Sequence, residues 1–233
     1  MMRLDKFLSV TKTASRSETA KAVKQGRITL NGVAVKDPAA RINEDTDTVC
    51  FDGAPVIYRR FIWIMMNKPS GILSASTDKK AQTVVDLLPP PLNSMGLFPC
   101  GRLDKDTVGL IMLTNDGDLS HTLLSPKKHA EKRYAFTLAR PYDKTKGIEK
   151  GIMMDGKLTK PAVITMKSEL TGEIILTEGK YHQIKRMFEY AGSEVTHLER
   201  LSFGGVELDP TLERGQWRYL TEAEEQTLRN NAV

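Results

Sequence analysis

The apolar residues at the start of the chain follow helical spacing. Leu4, Phe7 and Leu8 fall on one face of a helix, so the sequence predicts a helix over the first ten residues. Ser15 and Glu18 have the spacing of a capping box, in which the serine hydroxyl and the glutamate carboxylate bind free backbone N–H groups of a first turn. A second helix is therefore predicted to begin at this point.

The pattern changes after the second helix. Ala20 and Val23 give that helix an apolar face, and Gly26 is the residue type that ends helices in the left-handed conformation. Apolar and polar positions then alternate over 28–35 on both sides of Asn31-Gly32, which favours a type I′ turn. The N-terminal region is thus predicted to be two helices followed by a hairpin.

The rest of the chain contains more strand patterns than helix patterns, and the two do not alternate strictly. This order predicts an α+β fold with a mixed, largely antiparallel sheet. We expect a small domain over 1–57, a linker over 58–61 and a larger domain over 62–233, with a turn at 67–71. Strands are predicted at 62–66, 110–114, 134–138, 162–166, 174–177 and 195–203, and helices at 84–88, 119–124, 183–191 and from the Thr221–Glu224 capping box onward.

Charge separates the two regions. The chain has 233 residues, 40% of them hydrophobic, a formal net charge of +5 and a pI of about 9.1, a balance that suits an RNA partner. Residues 1–30 carry seven Lys and Arg against two acids, whereas residues 207–233 carry six acids against three bases. We therefore expect the N-terminal domain to contact RNA phosphates, with Lys127, Lys128 and Lys132 extending the basic track. The N-terminal candidates are Arg3, Lys6, Arg16, Lys21, Lys24 and Arg27.

Several function classes find no support in the sequence. Cys50 and Cys100 lie far apart, the N-terminus lacks a leader-like apolar run, and no run of roughly 18 apolar residues could span a membrane. We therefore expect a cytoplasmic protein, and we expect it to be monomeric. The histidines lack metal-ligand spacing and no phosphate-binding or dinucleotide motif is present, so neither a metal nor a cofactor is predicted.

Three segments carry candidate chemistry. The first is 101–110, GRLDKDTVGL, in which Asp104 lies in a glycine-bounded loop just before an apolar strand. The second is 131–134, EKRY, at the start of a strand, and the third is 178–187, EGKYHQIKRM, which joins a strand to a helix. Asp104 alone could be a solvated turn residue. Lys185 near a helix N-terminus, however, creates a place suited to a carboxylate, and Asp104 is the one we expect there.

Together these segments resemble the active-site motifs of pseudouridine synthases, specifically the RsuA type that modifies small-subunit ribosomal RNA. The resemblance runs from Arg3 to about Leu220, and its most specific part is the first segment. The N-terminal region resembles an S4 RNA-binding domain, through 3–6, Ser15-Arg16, Gly26-Arg27 and Val33. In that resemblance its two helices present cations to structured RNA.

The resemblance implies roles for individual residues. Asp104 is the essential carboxylate, acting on the sugar of a uridine in RNA, either by adding to C1′ or by removing the C2′ proton. Lys185 pairs with it, and Ile184 packs against the reaction site. Tyr134 stacks on the uracil and could also help to remove the C5 proton, but stacking is the better assignment because a phenol is a poor base at neutral pH. Arg102 contacts a phosphate or fills the space of the extruded base. Asp106 is interpreted as a residue that shapes the loop.

Other functions remain open at this point. A non-catalytic RNA-binding assembly factor could use the same fold, and Asp104 with Asp106 could act as paired carboxylates of a hydrolase, although residues two apart on a loop rarely separate acid from base. Tyr181-His182 resembles the small-subunit type more than large-subunit relatives, which tend to have Asn-Arg there. The substrate is therefore expected to be 16S rRNA, free or in a partly assembled small subunit, with 23S rRNA as the alternative.

Overall fold

A computed structural model describes residues 1–125 and 130–232 of the chain. It divides into two compact units, each with its own hydrophobic core. The N-terminal unit is Met1–Phe61 together with Pro89–Gly96, and the large unit is Ile62–Leu88 together with Leu97–Val233. The segment 89–96, which the sequence analysis assigned to the larger domain, therefore groups with the first unit.

The described residues form short strands in the first unit and longer ones in the second. The helices are α1 (Leu4–Val10), α2 (Arg16–Lys24), α3 (Gly117–Leu124), α4 (Gln183–Tyr190) and α5 (Glu222–Asn230), with 3-10 turns at Leu92–Ser94, Lys144–Lys146 and Ile148–Lys150. The strands are β1 (Met2–Arg3), β2 (Ile28–Leu30), β3 (Val33–Ala34), β4 (Arg41–Ile42), β5 (Val49–Phe51), β6 (Ala54–Pro55), β7 (Trp63–Lys68), β8 (Phe98–Pro99), β9 (Val108–Thr114), β10 (Lys132–Leu138), β11 (Met153–Met154), β12 (Lys157–Leu158), β13 (Val163–Met166), β14 (Thr171–Leu176), β15 (Val195–Phe203), β16 (Val206–Glu207) and β17 (Trp217–Tyr219).

The N-terminal unit has the predicted order of helix, helix and hairpin. Ser15 Oγ accepts from the Glu18 N–H at 3.3 Å and the Glu18 carboxylate accepts from the Ser15 N–H at 2.7 Å, which completes the capping box of α2. The turn between β2 and β3 has φ of 50° at Asn31 and 82° at Gly32, as a type I′ turn requires. Leu4, Phe7 and Leu8 are buried in the core of this unit.

The large unit is built on a nine-stranded sheet with the order β13-β14-β10-β15-β9-β7-β17, to which β16 and β8 add at β15 and β9. Its pairings are antiparallel except for the one between β15 and β9, so the expected mixed, largely antiparallel sheet is confirmed. Every residue of β9 is buried. The parallel pairing brings the loop that precedes β9 to the same edge as the start of β15.

Two local predictions were wrong. The apolar residues Val84, Val85 and Leu88 are buried but lie in turns rather than in a helix, because apolar spacing over five residues does not distinguish a buried turn from a helix. The predicted turn at 67–71 begins later, because β7 continues through Lys68, whose side chain is fully buried.

The described residues lack what a membrane-spanning helix or a metal site with three such ligands requires. Over 1–125 and 130–232, none of the helices has both the length and the apolar content to cross a membrane. Within the same residues, His, Cys, Asp and Glu form no group of three or more that could hold a metal ion.

Candidate active site

A cleft of about 470 Å³, counting its open mouth, lies in the large unit. Its floor is formed by side chains of neighbouring strands, Tyr134 on β10, Leu176 on β14 and Leu198 on β15. One wall comes from the loop between β8 and β9, and the other from the segment 178–185 at the start of α4. All three sequence segments with candidate chemistry therefore contribute to one cleft.

The first wall holds Asp104, and hydrogen bonds to carbonyl groups of this loop fix its backbone. The Thr107 N–H donates to the Asp104 carbonyl oxygen at 3.1 Å, which closes a tight turn. Beneath it, Lys68 Nζ donates to the carbonyl oxygens of Pro69, Lys105 and Thr107 at 3.1, 3.1 and 2.9 Å. Burial lowers the pKa of Lys68 to about 8, against attraction from Asp106 and Asp104 that would raise it. A buried ammonium thus holds the loop by its carbonyl groups.

The second wall is the N-terminus of α4. Gln183 is buried, and its side chain accepts from the Lys180 N–H at 2.9 Å and donates to Glu178 at 2.7 Å, so it ties the preceding loop to the helix. His182 precedes the helix in the left-handed conformation with φ of 51°. Its Nε2 lies 3.5 Å from Asp104 Oδ1.

Lys185 lies between two carboxylates. Its Nζ is 3.2 Å from Asp104 Oδ2 and donates to both oxygens of Asp106, at 2.7 and 2.9 Å. Burial alone would lower the pKa of Lys185, but the hydrogen bonds to Asp106 and Asp104 outweigh it, and its pKa is raised. The hydrogen bond from Lys185 also lowers the pKa of Asp106. The expected partner Asp104 is present, but the closer one is Asp106, which the sequence analysis had interpreted as a residue that shapes the loop.

The remaining predicted site residues also line the cleft. Tyr134 is 8% exposed and lies on the floor, directly across from Arg200 of β15. Ile184 is 5% exposed and joins α4 to the same floor. Arg102 is exposed at the rim. The structure therefore brings Asp104, Lys185, Tyr134, Ile184 and Arg102 together around one space.

The predicted RNA-binding cations of the N-terminal unit fall into two groups. Arg3 pairs with Asp5 at 2.7 Å, and Arg27 pairs with Asp52. All six residues are exposed to solvent, and the other four form the second group. These are Lys6, Arg16, Lys21 and Lys24.

The three lysines expected to extend the basic track have different positions. Lys127 and Lys128 lie outside the described residues. Lys132 directs its Nζ inward to the Ala130 carbonyl oxygen at 2.8 Å, 5.4 Å from the centre of the Phe203 ring. Burial, with the charge of Arg200 nearby, lowers the pKa of Lys132 to about 8. Lys132 is therefore directed to the interior of the large unit rather than to solvent.

Sequence reasoning missed three residues of this site. His182, Gln183 and Lys68 were not selected, although the first two lie within the third segment; Lys68 lies in the predicted turn at 67–71. For Gln183 the available signal was a polar residue at the first position of a helix. For Lys68 none was available, because the three carbonyl groups that surround it are brought together only by the fold.

Comparison with known proteins agrees with this fold. The family model described as RNA pseudouridylate synthase matches residues 62–190, and the S4 domain model matches residues 2–48. The chain belongs to the RNA pseudouridylate synthase family and carries an S4 domain, and it is therefore an enzyme of the isomerase class.

Its relatives match it over nearly their whole length. The chain is 46% identical to the Bacillus subtilis protein named uncharacterized RNA pseudouridine synthase YtzG, over 96% of each chain. It is 37% identical to the Escherichia coli ribosomal small subunit pseudouridine synthase A, over 96% of this chain and 98% of that one. A solved structure titled "Crystal structure of pseudouridylate synthase" matches 98% of this chain and 100% of that chain at 36% identity, with a TM-score of 0.68.

Proposed function

We propose that this protein converts one or more uridines of 16S ribosomal RNA into pseudouridine, with Asp104 as the essential carboxylate. The observation that carries the proposal is the position of Asp104 at the cleft, 3.2 Å from Lys185 and above a floor that contains Tyr134, in a member of this family. The reaction breaks the N1–C1′ bond, turns the base and joins C5 to C1′. The proton leaves C5 and N1 gains one, so the isomerisation balances without an external electron or energy donor.

The carboxylate has two possible parts in this reaction. It can add to C1′, or it can remove the C2′ proton, and both require the ionised form. The ammonium of Lys185 supplies an opposite charge beside it in a partly closed space, where attraction is stronger than in water. His182 Nε2 lies 3.5 Å from the other oxygen of this carboxylate, Asp104 Oδ1. Asp104 is thus oriented from two sides.

The floor and rim suit a flipped nucleotide. A uridine stacked in an RNA helix must leave the stack before its sugar can be reached. The ring of Tyr134 offers an aromatic face for the uracil, beside the apolar side chain of Ile184. Arg102 at the rim is placed for a phosphate or for the space that the base vacates.

The choice of 16S rRNA rests on the relatives named for the small subunit, while the basic N-terminal unit supports RNA as the partner. Lys6, Arg16, Lys21 and Lys24 are exposed there and would contact phosphates of structured RNA. The partner is ribosomal RNA, free or in a partly assembled small subunit, and the reaction takes place in the cytoplasm. Conversion of 23S rRNA is the alternative that the same site chemistry would serve.

The test compares the wild type with Asp104→Asn and with Asp118→Asn, which changes an exposed aspartate of α3. Each protein is incubated with unmodified 16S rRNA, 23S rRNA and partly assembled small subunits, and pseudouridine is mapped by carbodiimide-dependent primer extension. We expect a new stop on 16S rRNA or on the particle with the wild type and Asp118→Asn, and no stop with Asp104→Asn. A stop on 23S rRNA alone would contradict 16S rRNA as the substrate and identify 23S rRNA instead. The absence of any stop despite binding would favour an assembly factor.

A further inference from the structure

A pair of stacked rings lies at the mouth of the cleft, and one of the two, Tyr181, has no role in the function proposed above. The ring centres of Tyr181 and His182 are 3.8 Å apart, and the ring planes differ by 19°. His182 lines the cleft, whereas Tyr181 is 71% exposed. One face of the tyrosine ring is covered by the imidazole, and the ring otherwise remains open to solvent.

The backbone of His182, at the N-cap of α4, is left-handed. Helix N-caps favour Ser, Thr, Asp, Asn and Gly, whose side chains cap N–H groups or whose backbone bends easily. His182 occupies the N-cap of α4 at φ of 51°, and within the described part of the chain its side chain caps no N–H of that helix. A left-handed non-glycine residue costs free energy and is frequent at functional sites. The imidazole instead lies between Asp104 and Tyr181.

The backbone that carries the exposed ring is also held in place. The guanidinium of Arg186 pairs with both oxygens of Asp155, at 3.0 Å each, and its Nη1 lies 3.5 Å from the Tyr181 carbonyl oxygen. A rigid aromatic ring loses little conformational entropy on binding a flat ligand.

We propose that Tyr181, backed by His182, is a stacking site for an unpaired nucleobase next to the uridine that enters the cleft. This inference rests on the proposed function, because extruding a uridine leaves its neighbour without a stacking partner. Aromatic side chains bind such bases by their faces, and any base can supply one. The ligand class is therefore a single-stranded purine or pyrimidine of the RNA substrate, held beside the cleft rather than in it.

The experiment measures the Kd of 16S rRNA and the rate of pseudouridine formation for the wild type, Tyr181→Phe and Tyr181→Ala. The matched control is Tyr190→Ala, which removes an exposed tyrosine at the other end of α4. We expect Tyr181→Ala to raise Kd about 5- to 150-fold, the range measured for single stacked bases, with Tyr181→Phe within about twofold of the wild type. Equal Kd values for the wild type and Tyr181→Ala would overturn the proposal.

A second measurement identifies the base and excludes a merely structural role. Ligated 16S rRNA carrying an abasic ribose at each position flanking the modified uridine is bound to both proteins. One abasic position should weaken binding to the wild type and leave binding to Tyr181→Ala unchanged, because the two changes remove the same contact. Equal losses for both proteins at every position would contradict stacking. A wild type that binds but forms no pseudouridine would refute the proposed activity, while the Kd comparison of the wild type with Tyr181→Ala would still decide whether Tyr181 contacts the RNA.

Discussion

At the scale of single residues, the site is defined by one ammonium shared between two carboxylates of different exposure. The Asp104 side chain is 25% exposed and the Asp106 side chain is 70% exposed, and Lys185 reaches both. The more buried carboxylate is the one proposed to meet the sugar. The more exposed one makes the shorter contacts and anchors the lysine.

Replacing Asp106 by Asn should weaken the reaction without abolishing it. The amide retains the shape of the side chain but not its charge, so kcat/KM should fall about two- to fivefold, as expected when a largely exposed charge partner is removed. Asp106 helps to raise the pKa of Lys185, so its removal should move the alkaline limit of activity to lower pH. A pH profile of kcat/KM measures this shift, and Asp106→Glu is the charge-preserving control. An unmoved alkaline limit would show that Asp106 does not hold Lys185.

Lys68 allows a different test, because its ammonium lies under the loop rather than in the cleft. Lys68→Met keeps much of the volume but leaves the carbonyl oxygens of Pro69, Lys105 and Thr107 without their donor. We expect kcat to fall about 10- to 100-fold through displacement of Asp104, with a smaller change in KM. Single-turnover kinetics with 16S rRNA would separate the two effects, and an unchanged kcat would show that the loop holds its shape without the ammonium.

The same substitution should also change the pH dependence of stability. The folded-state pKa of Lys68 is about 8, below the ordinary 10.5, so between these values the unfolded chain binds more protons than the folded one. Stability from this group therefore rises as pH increases from 8 to 10.5, and it is lowest below pH 8. Urea unfolding at several pH values should show a steeper rise for the wild type than for Lys68→Met. Parallel curves would contradict the lowered pKa.

At the scale of elements, the parallel contact between β9 and β15 lies directly after the loop that forms the first wall of the cleft. Gly109 of β9 pairs with Arg200 of β15 at a φ of 94°. A methyl group at Gly109 would overlap the carbonyl oxygen of Arg200. Below that contact the buried guanidinium of Arg200 donates to the Leu110 carbonyl oxygen at 2.7 Å. The two strands can approach this closely only because residue 109 lacks a side chain.

Gly109→Ala should therefore destabilise the large unit by at least about 2 kcal/mol, through both the left-handed backbone and the overlap with a neighbouring strand. Gly71→Ala is the matched control, because its φ is 86° and a methyl group there meets open space. Urea unfolding of both variants separates the backbone cost from the steric cost. Equal destabilisation of the two would show that the strands can move apart without penalty.

Elements with local signals could be predicted from the sequence, and those fixed by distant contacts could not. The capping boxes at Ser15 and Thr221 predicted the starts of α2 and α5 because both partners lie within one helical turn. The helix expected over 84–88 fails because its apolar residues are buried by other parts of the unit. The motif segments predicted the pairing of Asp104 with Lys185. The closer contact of Lys185 with Asp106 and the stack of Tyr181 on His182 were not predicted, because they depend on the conformation of the chain before α4.

At the scale of the whole molecule, excess positive charge is concentrated at the start of the chain, whereas the C-terminal stretch is acidic. Residues 1–30 have seven basic and two acidic residues. In the acidic C-terminal stretch, the arginines are paired with carboxylates: Arg218 with Asp209 and Glu224, Arg214 with Glu199, and Arg229 with Glu225. RNA affinity should therefore depend mainly on the N-terminal unit.

Neutralising the exposed Lys21 and Lys24 together as glutamines should weaken binding of 16S rRNA and reduce the slope of log K against log salt. The reduction should be on the order of one for each RNA phosphate that the protein no longer neutralises. Lys144→Gln with Lys150→Gln, which removes two exposed lysines of the large unit, is the control. Filter binding between about 50 and 200 mM salt gives both slopes. Identical slopes for the test variant and the wild type would remove α2 from the RNA interface.

The separation along the chain of the two halves of the site has a consequence during synthesis. Lys185 and Asp106 are 79 positions apart, and the edge strand β17 is added to β7 only near the end of the chain. The N-terminal unit draws most of its core from the first 61 residues and can form while the ribosome is still translating the rest. We expect a nascent chain to gain RNA affinity well before it gains a working active site, so that truncated products would bind the substrate and compete with the finished enzyme.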